Sequence, residues 1–266
     1  DHAGLIEGRK DMPDGDIPFG MSFSIRRFYM ICKRVEIDTI PACVWGMASS
    51  RVIVAVHGNM ASKTDTATAH LAEFAVQAGW QVLSFDLPEH GDRKGRELPC
   101  TMPQCVEDTR KIWAYAHEHW QTVGLFGVSM GAYIALAATA NEPPAFAWLL
   151  SPTVAMGRMI EGMMRRDGIT PEALKKAGRI QTAVGQVYWW ADYTFVALHP
   201  AKTTCKTAIL YGAKDDLTGL SDMQAFVKEN DSELTVSGVS AHWFHTNDDL
   251  AVFDAWLKNQ TARVAG

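Results

Sequence analysis

The sequence predicts an α/β fold in which a mostly parallel sheet of eight strands is flanked by helices. Three observations predict it: strand-like and helix-like patterns alternate from Arg51 onward, the chain has 266 residues, and 47% of them are hydrophobic against 21% charged. Alternating strands and helices are typical of a parallel sheet. A chain of this length and composition is expected to bury one large core in a single main domain.

Two β-rich runs open the chain before the alternation begins. They cover 28–37 and 40–46, and the Asp38-Thr39 step between them predicts a hairpin. The later strands are predicted over 51–56, 81–85, 123–126, 145–150, 207–211 and 233–236. The helices between and after them are predicted over 64–78, 102–120, 130–140, 220–229 and 248–258.

The alternation stops for about fifty residues after the sixth strand, which predicts an insertion. We expect a core domain formed by 1–152 and 201–266 and a helical cap formed by 153–200. An apolar stripe at helical spacing predicts one cap helix, and Thr170-Pro171 predicts the start of a second. The stripe consists of Met156, Met159, Ile160, Met163 and Met164.

Charge and hydropathy argue against two classes of partner. The net charge of −5 is modest, and the basic cluster Arg93, Lys94 and Arg96 is short and lacks interleaved aromatic residues. We interpret this cluster as a solvated loop and expect no nucleic-acid partner. No apolar run approaches the roughly 18 residues that cross a bilayer, so we expect a soluble protein without a transmembrane segment.

The cysteines are odd in number and scattered through a chain that is large enough not to need disulfides. This pattern favours reduced thiols and a cytoplasmic location, although a secreted protein whose signal peptide has been removed would have the same sequence. Cys100 and Cys105 are the one close pair, and without further ligands nearby they are expected to be ordinary thiols rather than a metal site. The five are Cys32, Cys43, Cys100, Cys105 and Cys205.

The segment Gly127-Val128-Ser129-Met130-Gly131 has the pattern G-x-S-x-G. The apolar run 123–126 before it predicts a strand, and the alanine-rich run 132–138 after it predicts a helix. A serine on a sharp turn between strand and helix is exposed as a nucleophile. The alternative is a glycine-rich loop whose serine only caps the helix.

A serine hydroxyl is a poor nucleophile at neutral pH, so it needs a base and a group that orients the base. Asp215 follows a predicted strand and His242 follows the last one, which gives the order serine, carboxylate, histidine. Loops after parallel strands meet at one edge of the sheet. Asp216 is the alternative carboxylate and His245 the alternative base.

These motifs together make the chain resemble the α/β-hydrolase superfamily, and within it the bacterial esterases, monoacylglycerol-lipase-like enzymes and serine aminopeptidase-like hydrolases. The resemblance extends from about residue 28 to the end. It is carried by five ordered segments: His57-Gly58-Asn59, the Asp86-Leu87-Pro88-Glu89-His90-Gly91 loop, the G-x-S-x-G segment, the Gly212 to Asp215 turn, and His242 with its aromatic neighbour.

The resemblance implies an oxyanion hole formed by the backbone N–H groups of Asn59 and Met130. Histidines equivalent to His57 and His90 hold loops in this family, so we expect neither a metal site nor a cofactor. Where the family usually has glycine after Asp-Leu-Pro, this chain has Glu89, which puts a charge near the rim of the site.

We therefore expect a serine hydrolase that cleaves a carboxylic ester of a small molecule with a hydrophobic group. A thioester or a peptide would suit the same three residues, and a non-catalytic ligand-binding protein is a further alternative. A dehalogenase or an epoxide hydrolase is disfavoured because related enzymes have aspartate as the nucleophile. The expected pocket residues, which could instead be core, are His57, Met156, Met159, Trp189, Trp190 and Trp243.

Overall fold

The computed structural model describes residues 32–96 and 98–265. The first predicted strand therefore lies partly outside the described residues. Within them the strands are β1 (Cys32–Ile37), β2 (Ile40–Trp45), β3 (Arg51–Val56), β4 (Gln81–Phe85), β5 (Thr122–Val128), β6 (Ala147–Leu150), β7 (Arg179–Gln181), β8 (Val187–Trp189), β9 (Thr207–Gly212) and β10 (Glu233–Ser237).

Eight of these strands form one sheet in the order β1-β2-β4-β3-β5-β6-β9-β10. Strand β2 runs antiparallel to both of its neighbours, whereas every pair from β4 to β10 is parallel. The predicted fold class is confirmed. The loops after the parallel strands consequently meet at the carboxyl edge of the sheet.

The helices are α1 (Thr66–Gln77), α2 (Met102–His119), α3 (Met130–Ala138), α4 (Met156–Arg166), α5 (Pro171–Ala177), α6 (Trp190–Leu198), α7 (Leu220–Glu229) and α8 (Asn247–Val264). Helices α2 and α3 cover one face of the sheet, where their apolar side chains join Val123 and Leu125 of β5 in the main core. Helix α8 covers the other face, with Phe253 stacked on Phe126. Because both faces are covered, β3 and β5 are almost continuously apolar.

The segment predicted as a cap contains α4, α5, α6 and the antiparallel pair β7–β8. It has a small apolar cluster of its own around Met164, Leu174 and Tyr188, whereas Met156 belongs to the main core. The predicted apolar stripe of α4 is thus shared between two clusters. The sequence did not predict the β7–β8 pair.

Strands β1 and β2 are joined by a disulfide between Cys32 and Cys43, whose Cα atoms are 5.6 Å apart. The prediction of five reduced thiols is wrong for this pair. The reason is the hairpin register, which pairs Cys43 with Arg34 and so leaves Cys32 in the diagonal position. Cys100, Cys105 and Cys205 are free.

None of the helices within the described residues has the length and apolar character needed to cross a membrane.

Candidate active site

Ser129 lies between β5 and α3 with a backbone φ of 51° and ψ of −121°. Its N–H donates to the carbonyl of Leu150 at 3.0 Å, and its own carbonyl accepts from Thr153 at 3.2 Å. A positive φ in a residue other than glycine costs about 1–3 kcal/mol and persists only where the surroundings hold it. The turn therefore fixes the position of the serine hydroxyl.

The glycines on either side of Ser129 allow backbones to approach closely. A Cβ on Gly127 would lie 2.5 Å from the Cα of Ala132. A Cβ on Gly131 would lie 2.5 Å from the carbonyl oxygen of Val56 and would overlap that of His57. The first turn of α3 is consequently packed against the end of β3, next to the loop that carries Asn59.

His242 contacts Ser129 through one ring nitrogen and Asp215 through the other. Its Nε2 lies 2.7 Å from Ser129 Oγ and its Nδ1 lies 2.7 Å from Asp215 Oδ2. The side chain of Asp215 is fully buried and that of His242 is 13% exposed. Because a carboxylate only accepts, Nδ1 carries the proton and Nε2 is free to accept the proton of the serine hydroxyl.

The carboxylate of Asp215 is itself held in place. Its Oδ1 accepts hydrogen bonds from the backbone N–H groups of Leu217 at 2.8 Å and Thr218 at 2.9 Å. A Cβ on Gly212, three residues earlier, would lie 2.5 Å from the carbonyl oxygen of Ser240. This close approach brings the turn after β9 against the loop that ends at His242.

The two alternative residues lie elsewhere. Asp216 is exposed. The Nδ1 of His245 donates to the carbonyl of Trp243 at 2.8 Å, and its backbone N–H donates to Asp249 at the start of α8. The geometry therefore favours Asp215 over Asp216 and His242 over His245.

The two segments of the predicted oxyanion hole are neighbours. A Cβ on Gly58, the residue before Asn59, would lie 3.3 Å from the Cβ of Ser129, and Met130 directly follows that serine. Asn59 Oδ1 accepts from the N–H of Met60 at 3.0 Å. The assignment of Asn59 and Met130 as the oxyanion donors stays a proposal.

His57 and His90 connect the loop after β3 to the loop after β4. The Nε2 of His57 accepts from the N–H of Leu87 at 3.1 Å, and its Nδ1 donates to the carbonyl of Gly58 at 2.7 Å. The Nε2 of His90 lies 3.1 Å from the backbone N of Met60. Burial lowers the pKa of His57 to about 4, so its ring is neutral near pH 7. His57 lies beneath these loops and supports them.

A buried ion cluster supports the same loops, and the sequence analysis missed its lysine. Asp86 is fully buried and accepts hydrogen bonds from the backbone N and from Nζ of Lys63, at 2.9 and 2.5 Å. Lys63 Nζ also contacts Asp92 at 2.8 Å. The run Ser62-Lys63-Thr64 has the composition of an ordinary loop before a helix. The only sequence signal for a buried partner of Lys63 was the Asp86 motif, which lies 23 positions later in the chain.

Arg93 corrects a further expectation. It is 5% exposed and its Nη1 donates to Asp108 at 2.7 Å and to the carbonyl of Asp86 at 3.0 Å. The prediction that the basic cluster is a solvated loop is wrong for this residue, because a carboxylate fifteen positions away on α2 pairs with it.

The other predicted pocket residues differ in exposure. Met156 is 2% exposed in the main core, and Met159 packs against that core. Trp189 and Trp190 contact neighbours within the cap segment, a guanidinium and a tyrosine ring respectively. Trp243, next to His242, stacks on the ring of His245 and is still 71% exposed.

In the described part of the chain, His, Cys, Asp and Glu side chains form no group of three or more that could hold a metal ion.

A sequence model of the family described as serine aminopeptidase, S33, matches residues 48–184, slightly more than half of the chain. The chain belongs to this family. It is therefore a member of the α/β-hydrolase superfamily, as the motifs predicted, and its family is one of hydrolases. No curated protein sequence matches the chain significantly.

Solved structures share the fold at low identity. Est1E from Butyrivibrio proteoclasticus with bound ferulic acid is 17% identical, with a TM-score of 0.69 over 87% of this chain and 98% of that chain. The Pyrococcus furiosus esterase Pf2001 is 18% identical, with a TM-score of 0.64 over 98% and 100% of the two chains. The thioesterase domain from the curacin biosynthetic pathway is 17% identical, with a TM-score of 0.54 over 86% and 99%.

Proposed function

We propose that this protein is a serine hydrolase that cleaves carboxylic esters through an acyl-enzyme intermediate. The observation that carries the proposal is the continuous hydrogen-bonded chain from Ser129 through His242 to Asp215, with both links at 2.7 Å. A serine in this arrangement can lose its proton to the imidazole as it attacks a carbonyl carbon.

The reaction proceeds in two balanced halves. Ser129 Oγ attacks the ester carbonyl and His242 Nε2 takes the hydroxyl proton; the tetrahedral intermediate then expels the alcohol, which leaves with that proton. In the second half, water attacks the carbonyl carbon of the acyl-enzyme while His242 takes a proton from it. The intermediate then releases the carboxylic acid, and the proton returns to the oxygen of Ser129. Asp215 stabilises the imidazolium in both halves, and the N–H groups of Asn59 and Met130 hold the oxyanion.

An ester with a hydrophobic group is the favoured substrate class. Met60 follows Asn59 and is 88% exposed, and Trp243 follows His242 and is 71% exposed. Apolar side chains that flank the reacting groups favour an apolar acyl or alcohol part, each buried methylene adding up to about 0.8 kcal/mol. Two fold relatives named as an esterase and a thioesterase support acyl transfer from oxygen or sulfur, and the family description supports a peptide as the alternative.

The segment 153–200 is proposed to cap the site and to set substrate preference. It starts at Thr153, whose N–H donates to the carbonyl of Ser129. If Trp189 and Trp190 face the acyl group, replacing either by alanine changes the chain-length profile of kcat/KM more than the activity on acetate esters. An unchanged profile in both variants would show that the cap only supports the fold.

Labelling with a fluorophosphonate probe tests the nucleophile. We expect the wild type to incorporate one probe on Ser129 and Ser129→Ala to incorporate none, because the probe reacts only with an activated serine. p-Nitrophenyl esters of graded length, acyl-thioesters and aminoacyl amides then identify the substrate class. A folded protein that does not label would be a ligand-binding protein instead.

A cytoplasmic location is also proposed, but its support is reduced. It rested on five reduced thiols, and the Cys32–Cys43 bond removes two of them. Fractionation of the native host would test it.

A further inference from the structure

Cys100 and Cys105 form a thiol pair beside the candidate site. Their Sγ atoms are 3.5 Å apart. Cys100 directly precedes Thr101, the residue before α2, and Cys105 lies in the first turns of that helix. Side chains at these two positions of a helix start commonly pack on each other, which explains the proximity without a bond.

The pair is close enough to be oxidised. A disulfide has an S–S distance of about 2.05 Å. Rotation about the Cα–Cβ bond of each cysteine therefore needs to move each sulfur by less than about 1 Å to close the bond. Cys105 is fully buried, whereas Cys100 is half-buried and stands outside the helix. An oxidant therefore reaches Cys100 first, and Cys105 is positioned to resolve the adduct.

The surroundings favour a reactive Cys100. The hydrogen bond from the Cys105 thiol, together with the smaller effect of His90, outweighs the opposing effect of burial and lowers the pKa of Cys100 to about 6. The pKa of Cys105 is raised by the same hydrogen bond and by burial. Cys100 is thus the nucleophile of the pair, because the thiolate and not the thiol attacks a disulfide.

The pair is connected to the loop that carries Asn59. His90 has its Nε2 3.2 Å from Asn59 Oδ1 and 3.1 Å from the backbone N of Met60. Glu89 Oε2 accepts from the backbone N–H of Cys100 at 2.7 Å. Movement of Cys100 therefore reaches His90 through the adjacent Glu89.

We propose that Cys100 and Cys105 are a reversible thiol–disulfide site whose closure displaces His90 and lowers the activity of the neighbouring hydrolase site. Low-molecular-weight disulfides such as oxidised glutathione are the chemical class of oxidant. The effect on activity rests on the proposed function, whereas closure of the disulfide does not.

The oxidation is balanced by one molecule of oxidised glutathione. The Cys100 thiolate attacks one of its sulfurs, forming a mixed disulfide and expelling a first glutathione thiolate. Cys105 then attacks Cys100 Sγ, forming the protein disulfide and expelling a second. Two electrons pass from the cysteines to the oxidant, and the two expelled thiolates take up the two cysteine protons.

Closure acts on the site in two ways. It removes the negative charge of the Cys100 thiolate, which interacts electrostatically with His90, and it moves Cys100, whose backbone N–H donates a hydrogen bond to Glu89. Both changes shift His90 relative to Asn59 and Met60. A displacement approaching 1 Å in a group that positions reacting atoms costs up to about a hundredfold in rate, so we expect a fall of about tenfold in kcat/KM.

Differential alkylation measures closure directly. Trypsin cleaves after Arg96 and Arg110, so a single peptide contains both cysteines and no other. After incubation with oxidised glutathione we expect this peptide to take up no alkylating reagent, whereas the reduced peptide takes up two. Dithiothreitol should restore both thiols and the activity together.

Three variants separate the possibilities. Cys105→Ala should stop at the mixed disulfide on Cys100, and Cys205→Ala, which removes a free cysteine elsewhere, should behave as the wild type. His90→Gln should still form the disulfide but lose most of the difference in kcat/KM between the oxidised and reduced forms, because the connection to Asn59 is broken.

Each result decides between a redox site and simple packing. A peptide that keeps two free thiols at high ratios of oxidised to reduced glutathione would overturn the proposal, as would a disulfide that leaves kcat/KM unchanged. Reduced protein that does not label with a fluorophosphonate would instead refute the proposed function, while the alkylation result would still stand.

Discussion

Replacing Gly131 by alanine tests whether the close approach of β3 and α3 builds the site. Alanine normally stabilises a helix over glycine by about 0.5–1 kcal/mol. At Gly131, however, the added Cβ would lie 2.5 Å from the carbonyl oxygen of Val56 and would overlap that of His57. The backbone leading to Asn59 must then move by roughly 1 Å to reach ordinary van der Waals contact.

The expected loss has two parts. Overpacking of this kind costs about 1–3 kcal/mol, which corresponds to a fall in Tm of several degrees in a chain of this size. Displacement of the Asn59 loop by about 1 Å should lower kcat/KM on an activated ester by about a hundredfold. Urea unfolding and steady-state kinetics on the purified variant measure the two effects separately.

Gly162→Ala is the matched control, because Gly162 lies in α4 and a Cβ there has nothing within 4 Å. It should stabilise the protein by about 0.5–1 kcal/mol and leave kcat/KM unchanged. Gly131→Ala with wild-type stability and activity within about threefold would refute the steric reasoning and, with it, the role of the β3–α3 approach.

Three further predictions concern single side chains. His242→Ala should lower kcat by about three orders of magnitude or more, whereas His245→Ala should keep most of it; the reverse result would make His245 the base. In urea unfolding, Ser129→Gly should have an unfolding free energy about 1 kcal/mol higher than that of Ser129→Ala, because glycine tolerates the φ of 51°. Equal unfolding free energies would show that the turn is unstrained. Burial lowers the pKa of His57 to about 4, so between about pH 6.5 and pH 4 the unfolded chain binds a proton at this residue that the folded chain does not. The unfolding free energy that the neutral His57 contributes is therefore lost as the pH falls through this range. Burial raises the pKa of Asp192 to about 7, and this shift makes the unfolding free energy rise as the pH falls, opposite to the effect of His57. The quantity to measure is therefore the difference in unfolding free energy between the wild type and His57→Gln, which is expected to fall by up to about 3 kcal/mol between pH 6.5 and pH 4. A difference that stays constant over this range would contradict the prediction.

Much of the fold could be predicted because local patterns and tertiary structure agree. Helix α1 was expected over 64–78 and occupies Thr66–Gln77, where the side chain of Asp65 caps it by accepting from the N–H of Thr68. The final helix, expected over 248–258, continues to Val264. Its last turns are held by distant partners: the carbonyl of Val264 accepts from Arg51 and from Trp80. No local pattern can report such contacts.

In the candidate site, too, some residues could be predicted from local sequence patterns and others could not. Ser129, Asp215 and His242 could be proposed from sequence because each follows a strand in a fixed order, and the geometry brings them together. Lys63 and Arg93 could not, because their buried partners lie far away in sequence. The Cys32–Cys43 bond lies in a hairpin that the sequence predicts, but the number and scatter of the cysteines carry no information on which residues the strand register brings together.

Trapping the acyl-enzyme is the most direct test of the central claim that His242 and Asp215 activate Ser129. A p-nitrophenyl ester mixed with the enzyme and quenched in acid within milliseconds to seconds should release a burst of about one p-nitrophenol per chain. Mass spectrometry of the quenched protein should find the acyl group on Ser129, and Ser129→Ala should show neither burst nor adduct. Turnover of the ester with the acyl group on another residue, or an undiminished rate in Ser129→Ala, would contradict the account.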